Sequence, residues 1–168
     1  MPPETVRTLV TALQERGVEA CVGGGWAVDA LVGRTTRQHA DLDVWVNATD
    51  FEGLLAAFAD QGIDRIYPWP GDRPWNFVLH DGDSRRVDLH VHESLGDGRL
   101  HYGSVKAPFI FSDHDLSGKG EIAEISVRCE RPEFALQNHT GYQVRDVDRH
   151  DVALLCEHFG LQPPESYR

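Results

Sequence analysis

Apolar residues recur at helical spacing in the opening segment, where Val6, Leu9, Val10 and Leu13 form one stripe of a helix over residues 4–16 that Gly17 ends. The pattern then shortens. Residues 18–22 predict a strand, residues 26–32 a second helix stopped by Gly33, residues 34–40 a polar loop, and residues 42–46 a strand that turns Leu42, Val44 and Val46 to a core. A third helix is expected over residues 50–61, with Phe51, Leu54, Leu55 and Phe58 on one stripe and Gly62 as terminator. Residues 76–80 and 85–92 predict two antiparallel strands joined through Asp81-Gly82-Asp83. Residues 96–120 mix glycine, charge and aromatics and carry no clear period. Beyond them the pattern predicts a strand over 122–128, a short helix over 132–138 and a last helix over 147–159. Strands and helices in this order, with a hairpin, read as an α+β fold.

The length of 168 residues suits one domain spanning 1–168, with residues from about 100 to 168 an elaborated C-terminal part. A hydrophobic fraction of 40% with 26% charged residues is that of a folded soluble chain and excludes disorder. The net charge of −11 is spread along the sequence, which disfavours nucleic acid as a partner and favours cationic small molecules. Cys21, Cys129 and Cys156 are widely spaced and unpaired by motif, so neither a disulfide framework nor a thiolate zinc site is indicated. No run approaches the ~20 apolar residues of a membrane span, and the start has no signal-peptide pattern, so a cytoplasmic protein with no membrane contact is expected.

Candidate chemistry centres on Asp41-Leu42-Asp43. Side chains alternate along a strand, so the two carboxylates share the face opposite Leu42, Val44 and Val46 and can grip a divalent cation. Upstream, Gly23-Gly24-Gly25 offers bare amides at a helix start, a means of holding phosphate. The segment from Arg85 to His92 alternates too, with Val87, Leu89 and Val91 inward and Asp88, His90 and His92 on the other face. If the two strands are neighbours, Asp41, Asp43 and Asp88 converge. Three carboxylates with two magnesium ions can clamp a nucleoside triphosphate, and Asp88 can also serve as general base. Each element alone reads as a solvated strand face or a tight turn; their conjunction favours a site.

Other polar residues have weaker signals. Arg37 can take a phosphate in two-pronged fashion or form a surface ion pair, His39 can donate a hydrogen bond to a phosphate or only within its loop, and Asp29 can orient Arg37 or the loop but reads better as structural. His90 and His92, with Asp88 and His80, offer a zinc set; the competing reading makes them hydrogen-bonding residues of a cleft. Trp69, Trp75, Tyr102 and Phe109 can stack on a base or sugar or anchor loops, and Glu93 and Asp97 can face a cationic acceptor. His139 and Tyr142 can close over a ligand, but the segment reads better as structure, with a turn at Thr140-Gly141 and Asp148 and Asp151 as acids near a helix start.

The run from Gly24-Gly25-Trp26 through Gly33-Arg34 to Asp41-Leu42-Asp43 resembles the signature of antibiotic nucleotidyltransferases in the polymerase-beta-like superfamily, of the lincosamide and aminoglycoside 2'' types. Val87-Asp88-Leu89-His90 resembles their third-carboxylate strand, and His139-Thr140-Gly141-Tyr142 with Asp148 and His150-Asp151-Val152 resembles their tail. The wider superfamily favours Gly-Ser where this chain has Gly25-Trp26, so no serine hydroxyl meets phosphate there, a departure that agrees with the antibiotic-modifying subgroup.

The resemblance implies a mixed, mostly antiparallel sheet with helices on one face and an open cleft on the other. It implies magnesium-dependent transfer of a nucleoside monophosphate from an NTP to a hydroxyl of a small molecule, an amine-bearing antibiotic such as a lincosamide or aminoglycoside. Asp41, Asp43 and Asp88 are then the catalytic metal ligands. On this reading Gly24, Gly25, Trp26, Arg37 and His39 serve the nucleotide, and His90, His92, Glu93 and Tyr102 face the acceptor. A homodimer is left open. The rival readings are a nucleotide-binding or antitoxin-like protein on the same fold, and a zinc hydrolase built on Asp88, His90 and His92.

Overall fold

The helical stripe Val6, Leu9, Val10 and Leu13 is buried on α1 (Pro3–Glu15), in a computed structural model that describes residues 1–68 and 76–168. It is followed by β1 (Ala20–Gly23), α2 (Gly24–Val32), β2 (Leu42–Asn47) and α3 (Phe51–Asp60). Then come β3 (Arg65–Pro68), β4 (Asn76–His80), β5 (Arg86–Ser94), β6 (Arg99–Ser104), β7 (Ala107–Ser112), β8 (Gly118–Ile122) and β9 (Ile125–Cys129). Two helices, α4 (Pro132–Asn138) and α5 (Asp146–Phe159), complete the order. Among the described residues no helix is long and apolar enough to cross a membrane.

The sheet runs β3-β4-β5-β2-β1-β9-β8, with β6 joined to β5 and β7 to β6. Pairing is antiparallel except for β2 against β5 and β1 against β9. One face carries the main core, in which Leu42, Val44 and Val46 of β2 and Val87 and Leu89 of β5 meet the buried stripes of α1, α2 and α3. Burial of each such large aliphatic or aromatic side chain contributes roughly 1.5–3 kcal/mol. Residues of the opposite parity, Cys21 and Trp45, join Leu100, Phe111, Leu116 and Phe134 in a second, aromatic cluster on the other face. The β6-β7 hairpin and α4 therefore cover part of that face and leave the end near Asp41 and Asp43 open, both of those residues being only half-buried.

The expected helices and the β4-β5 hairpin are all present, with boundaries moved by one or two residues. Three parts differ from the sequence reading, the first being β3, an edge strand where no element is expected. Residues 96–120 contain two strands and the start of a third; β6 and β7 form an edge hairpin whose outer positions stay exposed and so lack the apolar alternation of an interior strand. The single strand expected over 122–128 is instead β8 and β9 folded back at Ala123 and Glu124, which take left-handed φ values of 46° and 68°. Hairpins that need two positive φ values normally signal themselves by Asn-Gly or Asp-Gly, and Ala-Glu hides this one.

Replacing Ala123 by Asn and Glu124 by Gly removes that backbone strain and is expected to raise stability by about 1 kcal/mol, seen as a higher urea midpoint. An unchanged or lower midpoint would show that the native turn is not strained.

Candidate active site

The parallel register of β2 on β5 sets Asp43 directly opposite Asp88, with Leu42 opposite Val87 and Trp45 opposite His90. On the other side of β2, the antiparallel register sets Gly23 opposite Asp43, and α2 begins at the next residue. The first turn of a helix thus abuts the carboxylates. Two glycines permit the approach. Gly24 has a φ of 57°, and a Cβ on it would collide with the Asp43 carboxylate; one on Gly25 would collide with the guanidinium of Arg37. The leading amides of α2 have no partner within the helix and face the end where these charged groups gather.

The carboxylates disturb one another. Burial, reinforced by the charges of Asp43 and Asp88, pushes the Asp41 carboxyl up to about 6. Burial also raises Asp88, even though Arg86 grips it through Nε to Oδ1 at 2.7 Å and Nη2 to Oδ2 at 2.9 Å. Asp43 Oδ1 lies 3.1 Å from Nε2 of His90, whose Nδ1 lies 3.0 Å from the Tyr102 hydroxyl. Tyr102 donates in turn to Asn76 Oδ1. The His90 ring stacks on Trp45 at 4.7 Å, and Trp45 donates from Nε1 to Glu130 Oε1 at 2.6 Å.

An all-oxygen donor set in which burial raises Asp41 and Asp88 fits a hard divalent cation such as magnesium. Among the described residues no three His, Cys, Asp or Glu side chains are already drawn into a closed ligand set, Asp88 being held by Arg86. The zinc arrangement is poorly served, since both ring nitrogens of His90 are engaged and His92 is 8% exposed, its Nδ1 without a partner among the described residues.

Several expected ligand contacts prove to be structural. Trp26 is only 2% exposed; α2 is buried nearly all round, and the indole turns inward to donate from Nε1 to the Asp41 carbonyl. His39 is buried against the Trp26 ring, with Nε2 2.6 Å from Asp29 Oδ2, so it braces the loop instead of meeting phosphate. Asp29 does orient that loop, accepting from the Thr36 amide and hydroxyl. Arg37 stays at the glycine knot, but Asp151 holds it in two-pronged fashion at 2.8 and 2.6 Å. Asp151 is a buried partner of Arg37 and His139, not an acid of the first helical turn; its carboxyl is burdened by burial, yet these bonds hold it down at about 2. Asp148 does cap α5, through Arg145.

On β5, His92 packs toward Phe111 in the aromatic cluster and is too enclosed to meet an acceptor. Glu93 falls on the opposite face from Asp88 by strand alternation, pairs in register with His101 and points away from the site. Phe109 stacks on Phe111 and Phe134 as part of the cluster, Asp97 is taken by Arg99 at a turn, and His80 accepts from the Gly82 amide. Trp69 and Trp75 lie outside the described residues. The sequence reading overlooked Arg86, whose position two residues before Asp88 on the same strand face was a usable signal. It also overlooked Glu130, fully buried with its carboxyl raised to about 7 by burial; nothing local in the sequence marks it.

The family model described as aminoglycoside-2''-adenylyltransferase matches residues 5–155. A 2''-aminoglycoside nucleotidyltransferase of Escherichia coli is 44% identical over 170 residues, covering 97% of this chain and 90% of that protein. A lincosamide resistance protein of Staphylococcus haemolyticus is 24% identical over 132 residues, covering 79% of this chain and 80% of its own. Two solved structures share the fold at 22% identity. Lincomycin-bound lincosamide adenylyltransferase LnuA gives a TM-score of 0.76, covering 90% of this chain and 94% of that one. ANT(2'')-Ia with adenylyl-2''-tobramycin gives 0.71, covering 94% and 89%.

Because the Asp41 carboxyl sits above its ordinary 3.8, the folded protein holds that proton more tightly than the unfolded chain. The resulting destabilisation is absent below 3.8, grows from there and is complete above about 6. Asp41→Asn should therefore raise the urea midpoint of the metal-free protein at about pH 8 and change it little at about pH 3. Equal effects at both pH values would contradict a carboxyl raised by burial and by its charged neighbours.

Proposed function

Since the chain belongs to the aminoglycoside-2''-adenylyltransferase family and is a nucleotidyltransferase, we propose that it moves a nucleoside monophosphate from a magnesium-bound NTP to a hydroxyl of an amine-bearing antibiotic. The observation that carries this reading is the carboxylate set Asp43 and Asp88, locked in register, with Asp41 beside them, next to a glycine-opened helix start. An aminoglycoside is the first acceptor to consider, because the 44% identical relative carries that name over nearly the whole chain and the net charge of −11 attracts polycations. A lincosamide is the second, from the name of the Staphylococcus haemolyticus relative.

Asp41, Asp43 and Asp88 would hold the magnesium, which when bound supplies charge neutralisation on the phosphates and makes an incoming hydroxyl more acidic. The amides of Gly24 and Gly25 donate to phosphate oxygens, and Arg37, tethered by Asp151, adds positive charge at the same place. Asp88, raised by burial, is suited to take the acceptor proton. The acceptor oxygen bonds to the alpha-phosphorus as the bond to the beta-phosphate oxygen breaks, and pyrophosphate leaves. His90 keeps Asp43 in place from the side, backed by Trp45 and Tyr102. Those three rings form the wall against which an acceptor would rest.

Asp43→Asn should lower pyrophosphate release by more than about a hundredfold, the upper end of what changes in outer-shell groups cost at metal sites. It should leave the cooperative melt intact. Near-normal turnover in that variant would refute the assignment.

A further inference from the structure

Arg86 stands two residues before Asp88 on β5 and so shares its face. Both oxygens of Asp88 are engaged by it, at 2.7 and 2.9 Å, and its Nε lies 3.9 Å from Asp41 Oδ2. A two-pronged guanidinium-carboxylate pair is among the stronger polar contacts a protein makes, and the Asp88 partner is buried. The guanidinium side chain is itself 35% exposed on the open end of the face.

Resting on the magnesium reading above, we propose that Arg86 is a placeholder cation, which neutralises Asp88 in the metal-free enzyme and yields it only when metal and nucleotide arrive together. The guanidinium and a divalent ion compete for the same oxygen lone pairs of Asp88. A metal ion arriving alone displaces Arg86 and leaves its charge with fewer anionic partners. A nucleotide arriving with the metal brings phosphate oxygens to the same open end, and these accept the freed guanidinium. Metal and nucleotide then bind with positive coupling, and the coupling is reciprocal. The placement also fits the absence of a closed ligand set among the described residues, since the third carboxylate is turned to an internal cation.

The test is a titration with manganese, followed by electron paramagnetic resonance, on the wild-type protein and on Arg86→Met, with and without a non-hydrolysable ATP analogue. All samples are held at one pH. Arg86→Met should bind manganese alone roughly tenfold more tightly than wild type, the lower end of what a hydrogen-bonded charge pair contributes. The strengthening that the analogue produces in wild type should shrink by a similar factor. Equal manganese affinity in the two proteins, with measurable binding, overturns the role of Arg86 and leaves the metal reading standing. No manganese binding by either protein, with or without analogue, overturns both. If Arg86→Met lacks a cooperative melt, Arg86→Lys carries the test: it keeps the charge without the two-pronged geometry, so a smaller gain is expected, and no gain overturns the proposal.

Discussion

Asp43 and Asp88 face each other across a parallel strand pair, an arrangement of like charges that by itself weakens a sheet. The core on the opposite face enforces it. Leu42 and Val44 of β2 lie beside Val87 and Leu89 of β5, all four buried, and a slip of one residue would turn an aspartate into that core and a leucine to solvent. Hydrophobic burial on one side of the sheet thus holds a cluster of carboxylates together on the other. The Asp41 carboxyl, raised first by burial and then by the charges of Asp43 and Asp88, is a sign of this constraint.

The elements around the cluster are fastened to it by polar contacts of long sequence range. Trp26 ties the start of α2 to the Asp41 carbonyl, and the Asp29 carboxylate gathers Thr36 and His39 from the loop that leads to Asp41. Asp151 on α5 reaches Arg37, so the C-terminal helices position a charge at the glycine knot although they contribute nothing to the sheet. On the far side, Glu130, itself held by Asn138, holds Trp45, which backs His90 against Asp43. The aromatic cluster is therefore both a second core and a wall of the cleft.

What was legible in the sequence follows from period and parity. Asp41, Asp43 and Asp88 share one face because both strands alternate cleanly, and α1 and α3 are legible because their apolar stripes are unbroken. Parity, applied strictly, would also have excluded Glu93, an odd step from Asp88. Partners distant in sequence were not legible: nothing near Arg37 points to Asp151, and nothing near Trp45 points to Glu130. Trp26 misled because a tryptophan at a glycine-rich helix start can face either way, and only the burial of α2 on nearly every side decides that it turns in. The edge hairpin β6-β7 and the Ala123-Glu124 turn lacked the usual local marks, the first through exposure and the second through its residue types.

The central claim is that this cluster transfers a nucleoside monophosphate to an amine-bearing antibiotic. It is tested most directly by the mass of the acceptor after incubation of the protein with magnesium, each of the common NTPs, and aminoglycosides and lincosamides in turn. The account predicts that one of these acceptors gains the mass of one nucleoside monophosphate residue, with release of pyrophosphate. Binding of nucleotide with no adduct on any acceptor, or hydrolysis to free nucleotide alone, would contradict it.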